Sequence, residues 1–391
     1  MSHDDRLWKI RSALFQVPAT RLVEEFRAAL TSHFGVLGVE VLLADYRNTT
    51  LRPVDSPVPK PATVPVDGSA QGRVFAAQEP LRPSPDRLLL PLTSRGSRLG
   101  VVELRLPPGA DPQPIDDLIA AIGVCAEALE LADRETDHFT RARRHRRMTV
   151  AAEIQWDLLP PTSFARDEFA LAARLEPAYA VNGDCFDWSA DGDLLTVTVT
   201  NGMGHGVPAA LLTALTLGAL RNARRSGADL SEQAGQANDA VHARYGGKEF
   251  TETLLLEIDM RSGVLRAVDA GSPLLLHYPA DADRRPGVLA ERMTLAQQLP
   301  LGMFPGTAYA VQEFRLRRGD RLVAISDGLN TATSPAGERF GERMLDRVLR
   351  ATRRLSAAET VRSLIRELVT YHASDDLSDD AVAICVDWTG A

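Results

Sequence analysis

Cysteine is scarce in this chain. There are three, Cys125, Cys185 and Cys385, far apart and without a CxxC pair. An odd, dispersed set excludes a disulfide framework and a cysteine-rich zinc site, and it fits a reducing compartment. Long hydrophobic runs are also missing: none approaches the ~18 apolar residues of a membrane span. The opening MSHDDRLWKIR has no apolar signal-peptide core. A cytoplasmic protein without a membrane partner is therefore expected. Positive charge is not in excess either, with 44 Lys and Arg against 52 Asp and Glu and a net charge of −8. That balance argues against a general nucleic-acid binder. No internal repeat is visible. What is present is a globular composition, 45% hydrophobic and 25% charged, in a chain too long for one ordinary core, so two domains are expected.

Residues 4–34 carry Leu7, Ile10, Leu14 and then Leu22, Phe26, Leu30 at helical spacing, and Gly35 stops the second helix. Strands are predicted at 36–46 and 49–53, followed by a Pro-rich loop to Pro65, a short helix after Asp67–Gly72, and a hairpin of 87–92 with 99–106 around Ser94–Ser97. Helices flanking a small antiparallel sheet make an α+β unit. By its order of elements, its GSAQGRVFAAQEPLR segment and its closing hairpin, this unit, residues 1–112, resembles a GAF domain, a small sensory module. The resemblance implies a small-molecule ligand. No Cys or His stands out as a chromophore or haem ligand, and a ligand-free dimerisation or spacer role is the alternative.

Residues 113–159 read as a helical linker, a single helix from just after Pro114 to the prolines at 160–161. Leu118, Ile122, Cys125, Leu129, Ala132, Thr136 and Phe139 follow heptad spacing. The seam predicts a homodimer in which Ile122 and Leu129 face their counterparts. Arg141, Arg143, Arg144, Arg146 and Arg147 form a basic stretch without interleaved aromatics. It is read as a solvated face pairing with Asp133, Glu135 and Asp137 rather than as a nucleic-acid site.

From Phe169 onward strands dominate, near 169–176, 185–190, 193–200, 253–259, 264–269, 274–278, 308–315, 321–326 and 380–387, with helices at 207–225, 229–245, 339–354 and 356–372. Hairpins and paired helices predict a β-sandwich covered by helices. Three acidic turns each abut an apolar strand: Gly183-Asp184, Ser326-Asp327-Gly328 and Asp379-Asp380. Asp and Gly turns offer the carboxylate and carbonyl oxygens that hard divalent cations use. Any one alone is an ordinary solvated turn. Together they form a metal centre only if the fold brings the strand ends together.

Residues from about 146 to 388 resemble the metal-dependent protein Ser/Thr phosphatases of the PPM class, in their bacterial SpoIIE-type branch. The likeness lies in AAEIQWDLLPP, NGDCFDW, NGMGHGVPAALLTALTLGALR, DAGSPLLL, LPLGMF, GDRLVAISDGL and DDLSDDAVAICV, in that order. It implies an α+β fold: an αββα sandwich at 160–391 holding two Mn²⁺ or Mg²⁺ ions at one edge. Asp184, the Gly202 carbonyl, Asp327 and Asp379 would hold the ions, with Asp380, Asp187 and His205 as further candidates nearby. Metal-activated water would be the nucleophile, with no side-chain nucleophile. The implied substrate is a phosphorylated regulatory protein of the anti-sigma-factor-antagonist type.

Two positions depart from that family. Asn201 stands where its pattern has an Asp whose carboxylate bridges the two ions, and Ser272 stands where His is common. An amide gives one neutral oxygen and bridges poorly, so one ion is expected to bind weakly. Two readings follow: a signalling phosphatase controlled by the GAF-like unit, or a pseudophosphatase that keeps the fold as a binding module.

Overall fold

The computed structural model describes residues 3–55, 62–108, 115–144, 148–176, 182–271, 274–280, 291–372, 377 and 379–390. Ser272, Arg146 and Arg147 lie outside them. The chain divides into two compact units, residues 1–147 and 148–391.

The first unit contains α1 (His3–Gln16), α2 (Leu22–Phe34), β1 (Gly38–Ala44), β2 (Thr50–Pro53), β3 (Val64–Pro65), α3 (Ala70–Ala77), β4 (Leu81–Ser84), β5 (Arg87–Ser94), β6 (Ser97–Arg105), α4 (Ile115–Ala132) and α5 (Asp137–Arg143). Its strands make one antiparallel sheet in the order β3-β2-β1-β6-β5-β4. One face packs on α1, α2, α4 and α5 through Phe26, Leu30, Val41, Leu90, Ile122 and Phe139. The other face carries α3, through Val74 and Phe75 against Leu42, Leu51 and Val101.

The linker expectation needs correction. The interval 113–159 is not one helix: α4 ends at Ala132, and Thr136 starts α5 by capping the amide of His138. Its last part, α6 (Val150–Leu158), belongs to the second unit, where Thr149 caps it and its small residues Ala151 and Ala152 pack with Ala210. Nor does the heptad seam face a second chain. Leu118, Ile122, Cys125, Leu129, Ala132 and Phe139 are all buried in the first unit's own core. Heptad spacing reports that a helix face is buried, and here the chain's own α1, α2 and sheet bury it. The basic stretch is used locally as well. Arg143 donates to the Ala44 carbonyl, pairs with Asp133 and lies over the Tyr46 ring, while the Arg144 carbonyl accepts from Arg52.

The second unit continues with β7 (Ser163–Ala165), β8 (Phe169–Glu176), β9 (Asp184–Asp191), β10 (Leu194–Gly202), α7 (Gly206–Arg225), α8 (Leu230–Tyr245), β11 (Thr251–Asp259), β12 (Val264–Ala270), β13 (Leu274–Tyr278), β14 (Glu291–Arg292), β15 (Gln312–Arg315), β16 (Arg321–Ile325), α9 (Asp327–Thr331), α10 (Gly341–Ala351), α11 (Ala357–His372) and β17 (Ala381–Trp388). Two antiparallel sheets form, β15-β12-β11-β10-β9 and β14-β13-β16-β17-β8-β7. Their facing sides share a core that includes Phe186, Val199, Leu254, Leu171, Ile384 and Trp388. Alternation along each strand sends the other residues outward. There α7 and α8 cover Leu255 and Val268, and α10 and α11 cover Val323, Ile325 and Ala383. The result is the helix–sheet–sheet–helix sandwich expected from the sequence. The three cysteines are unpaired and buried, one in each of three of these cores. No helix among the described residues is long and apolar enough to cross a membrane.

Candidate functional site

The acidic turns meet at one edge of the sandwich. On the five-stranded side, Asp184 opens β9 and pairs in register with Asn201 near the end of β10. The turn before it is tight: Gly183 has φ +93, and a Cβ there would lie 2.3 Å from the Gly202 carbonyl oxygen. Gly202 donates its amide to the Gly183 carbonyl at 3.1 Å, and the Thr213 hydroxyl donates to the same oxygen at 2.7 Å. Two glycines thus let β9 and β10 close on each other where α7 begins. On the six-stranded side, Asp327 follows β16 and Asp379-Asp380 precede β17. A Cβ on Gly328 would lie 1.9 Å from the Asp380 carbonyl oxygen, so only glycine lets these turns touch.

Contacts join the two sides. Asn201 Nδ2 donates to Asp327 Oδ1 at 2.8 Å. Gln155, buried in α6, donates from Nε2 both to the Asp184 carbonyl and to Asp380 Oδ2, the latter at 2.9 Å. Asp380 Oδ2 also accepts the Asn182 amide at 2.8 Å. Asp379 Oδ1 accepts the amide of Asp380, and Asp327 Oδ1 that of Gly328.

Electrostatics marks the same place. Asp184 is wholly buried, and neither carboxylate oxygen has a hydrogen-bond partner of normal geometry. Burial pushes its carboxyl well above the ordinary range. Repulsion from Asp327, Asp380 and Asp379 adds to this, and only the nearby Ser326 hydroxyl opposes it. Burial also raises Asp379, again with Asp327 as a repelling neighbour. Glu252 is raised by burial and by repulsion from Asp327 and Asp269.

The structure therefore brings Asp184, Asn201, Gly202, Asp327, Asp379 and Asp380 to one edge. It does not bring Asp187 there, which corrects that candidate. Three residues along a strand reverses the face, so Asp187 points outward and is held by Arg221 at 2.8 Å and Arg224 at 3.2 Å from α7. His205 is exposed at the N-cap of α7 and makes no capping bond. Gln155 and Glu252 escaped sequence reasoning, the first inside the entry-helix motif and the second inside an apolar strand. Among the described residues, no three His, Cys, Asp or Glu side chains stand in a finished coordination arrangement. The donor set still fits a hard divalent cation: oxygen atoms only, mutually repelling, with two buried oxygens of Asp184 unpartnered.

The chain is similar to several known proteins. A curated relative, Protein IcfG of Synechocystis sp., is 24% identical over 217 residues, which is 48% of this chain and 33% of that protein. The chain thus spans about a third of that relative's length. Among solved structures, the RsbU and RsbW domains of Rv1364c from Mycobacterium tuberculosis are similar at 24% identity, over 59% of this chain and 63% of that one, with a TM-score of 0.48. The SiaA-PP2C domain of Pseudomonas aeruginosa is similar at 21% identity, over 56% and 85%, also with a TM-score of 0.48. The phosphatase and partial regulatory domain of SpoIIE from Bacillus subtilis is similar at 18% identity, over 57% and 65%, with a TM-score of 0.47. The family model for Stage II sporulation protein E (SpoIIE) matches residues 191–389, a stretch that includes Asn201, Asp327 and Asp379. That match spans just over half of the chain, and the protein belongs to the SpoIIE family.

Proposed function

We propose that this protein is a signalling phosphatase that hydrolyses phosphoserine or phosphothreonine on a regulatory protein, under control of its GAF-like N-terminal unit. The observation that carries the reading is the buried, unpartnered carboxylate of Asp184 facing Asp327, Asp379 and Asp380 between the sheets. Like charges are held together this way only at a cost, which a bound cation offsets. Asp184, the Gly202 carbonyl, Asp327 and Asp379 would hold divalent ions such as Mn²⁺ or Mg²⁺. Bound there, the ions would lower the pKa of a water and neutralise phosphoryl charge. Gln155 fixes Asp380 and the β9 backbone, so the acidic turns keep their spacing. Gly183 and Gly328 permit the close approach of the turns on either side. A phosphorylated regulatory protein as substrate follows the family resemblance, and a small-molecule ligand would act through the first unit.

One observation favours a second reading, a pseudophosphatase that binds its phosphoprotein without turnover. Asn201 donates to an oxygen of Asp327 that an ion would otherwise use. Turnover of a phosphoserine peptide with Mn²⁺ decides, using the full chain, Asp184→Asn and Asn201→Asp. Activity that Asp184→Asn abolishes supports the enzyme. Inactivity of both wild type and Asn201→Asp, with phosphoprotein binding intact, supports the binding module.

A further inference from the structure

The strand register brings a fifth carboxylate to the edge. Asn201 pairs with Asp184 on one side and with Glu252, in β11, on the other. Directly paired residues of neighbouring strands share a face, with Cβ atoms ~5 Å apart. Asp184, Asn201 and Glu252 therefore form one row across three adjacent strands. That row faces inward, because Phe186, Val199 and Leu254, two residues further along each strand on the same face, lie in the core between the sheets. Glu252 is half-buried, and none of the ion pairs among the described residues involves it. Its carboxyl is near enough to Asp327, which follows β16 of the opposite sheet, to be repelled by it.

We propose that Glu252 supplies, from the neighbouring strand, the metal-binding carboxylate that Asn201 lacks. The inference rests on reading this edge as a divalent-cation site. An independent sign of a ligand is the pair of buried, unpartnered Asp184 oxygens in the same row. Charge balance agrees. Of the five carboxylates at this edge, Asp380 is engaged by Gln155 and the Asn182 amide, which leaves Asp184, Asp327, Asp379 and Glu252 to face the four positive charges of two divalent ions. Reach agrees as well. Glutamate carries one more methylene than aspartate, which extends its carboxylate from β11 toward the space in front of β10, one strand spacing of ~4.8 Å away. Asn201 then acts as a neutral spacer that holds Asp327.

Mn²⁺ binding to the full chain, counted by titration calorimetry and by the loss of the free-ion electron paramagnetic resonance signal, tests this without reference to activity. Wild type should bind Mn²⁺, and Glu252→Gln should weaken one ion about tenfold or more. Asn201→Asp combined with Glu252→Gln should recover that ion, because the charge returns one strand away. A melting curve with chelator confirms that the isosteric Gln variant folds. Unchanged Mn²⁺ binding in Glu252→Gln, alongside loss in Asp184→Asn, overturns the role of Glu252 and leaves the site reading intact. No Mn²⁺ binding by the wild type at millimolar concentration overturns both.

Discussion

The side-chain amide of Asn201, near the end of β10, donates to Oδ1 of Asp327, just after β16, at 2.8 Å. It ties the two sheets together where Asp184, Asp379 and Asp380 also gather. An Asp at this position would replace that hydrogen bond with a repulsion, unless a cation lay between the two carboxylates.

Asn201→Asp should therefore have opposite effects with and without metal. In the Glu252→Gln background, where the supplied carboxylate is removed, adding Asn201→Asp should raise turnover with Mn²⁺ by one to a few powers of ten, about 1.4 kcal/mol of barrier for each. Without metal the melting temperature should fall, because one more carboxylate joins the repelling group. Paired activity assays and chelator melts check both effects. An equal rise on Asn201→Asp alone, with Glu252 intact, would mean that Glu252 does not supply the missing charge.

Asp184 sets the pH dependence of the metal-free protein. A carboxyl whose folded-state pKa exceeds its unfolded value keeps its proton longer in the folded chain. Its contribution is fully present below the unfolded value of about 4 and is lost as pH rises through the folded value. Asp184 and Asp379 shift in this direction. Chelated protein should lose stability as pH rises from about 4 toward neutrality. Asp184→Asn should flatten that decline and raise the neutral-pH melting point by ~2–4 °C, on the order of 1 kcal/mol. Melting curves across pH measure both, and a decline as steep in Asp184→Asn as in wild type would refute the assignment.

Asp187 should behave as a structural residue. Removing its charge in Asp187→Asn leaves Arg221 and Arg224 without their shared anion. That should cost about 2 kcal/mol while Mn²⁺ affinity stays unchanged. Denaturant unfolding and Mn²⁺ titration separate the two effects.

Gly328→Ala places a methyl group against the Asp380 carbonyl, 1.9 Å away without adjustment. The turns must separate, at about 1–3 kcal/mol, so Mn²⁺ affinity should drop along with stability. Wild-type affinity in that variant would show that the spacing of the two turns does not govern the site.

Ile122→Glu puts a charge into the core of the first unit rather than into an interface between chains. The expected result is unfolding of that unit, on the order of 4 kcal/mol. Sedimentation of the folded fraction should match wild type. Loss of a dimer with the unit's melting unchanged would return the seam to a role between chains.

Much of the second unit is legible in the residue order. Alternating apolar residues mark β9, β10, β16 and β17, helical spacing marks α7 and α11, and acidic turns mark the strand ends that hold Asp184, Asp327 and Asp379. These are local signals, since a turn residue declares the backbone it needs and a period declares which face is buried. Partnership between distant segments is not local. The heptad spacing of α4 showed that Ile122 and Leu129 are buried but not by what, and the answer was α1, α2 and a sheet from the same chain. Asp187 lies three residues from Asp184 and looks equivalent on the page, yet strand alternation turns it to Arg221 and Arg224 on the opposite face. Glu252 sits unmarked in TETLLLEID, and only the register of β10 against β11 sets it beside Asn201. Composition and period decide which segments form strands and helices. Which carboxylates confront one another depends on strand pairing and on the packing of two sheets, because only that packing fixes distances between residues far apart in the chain.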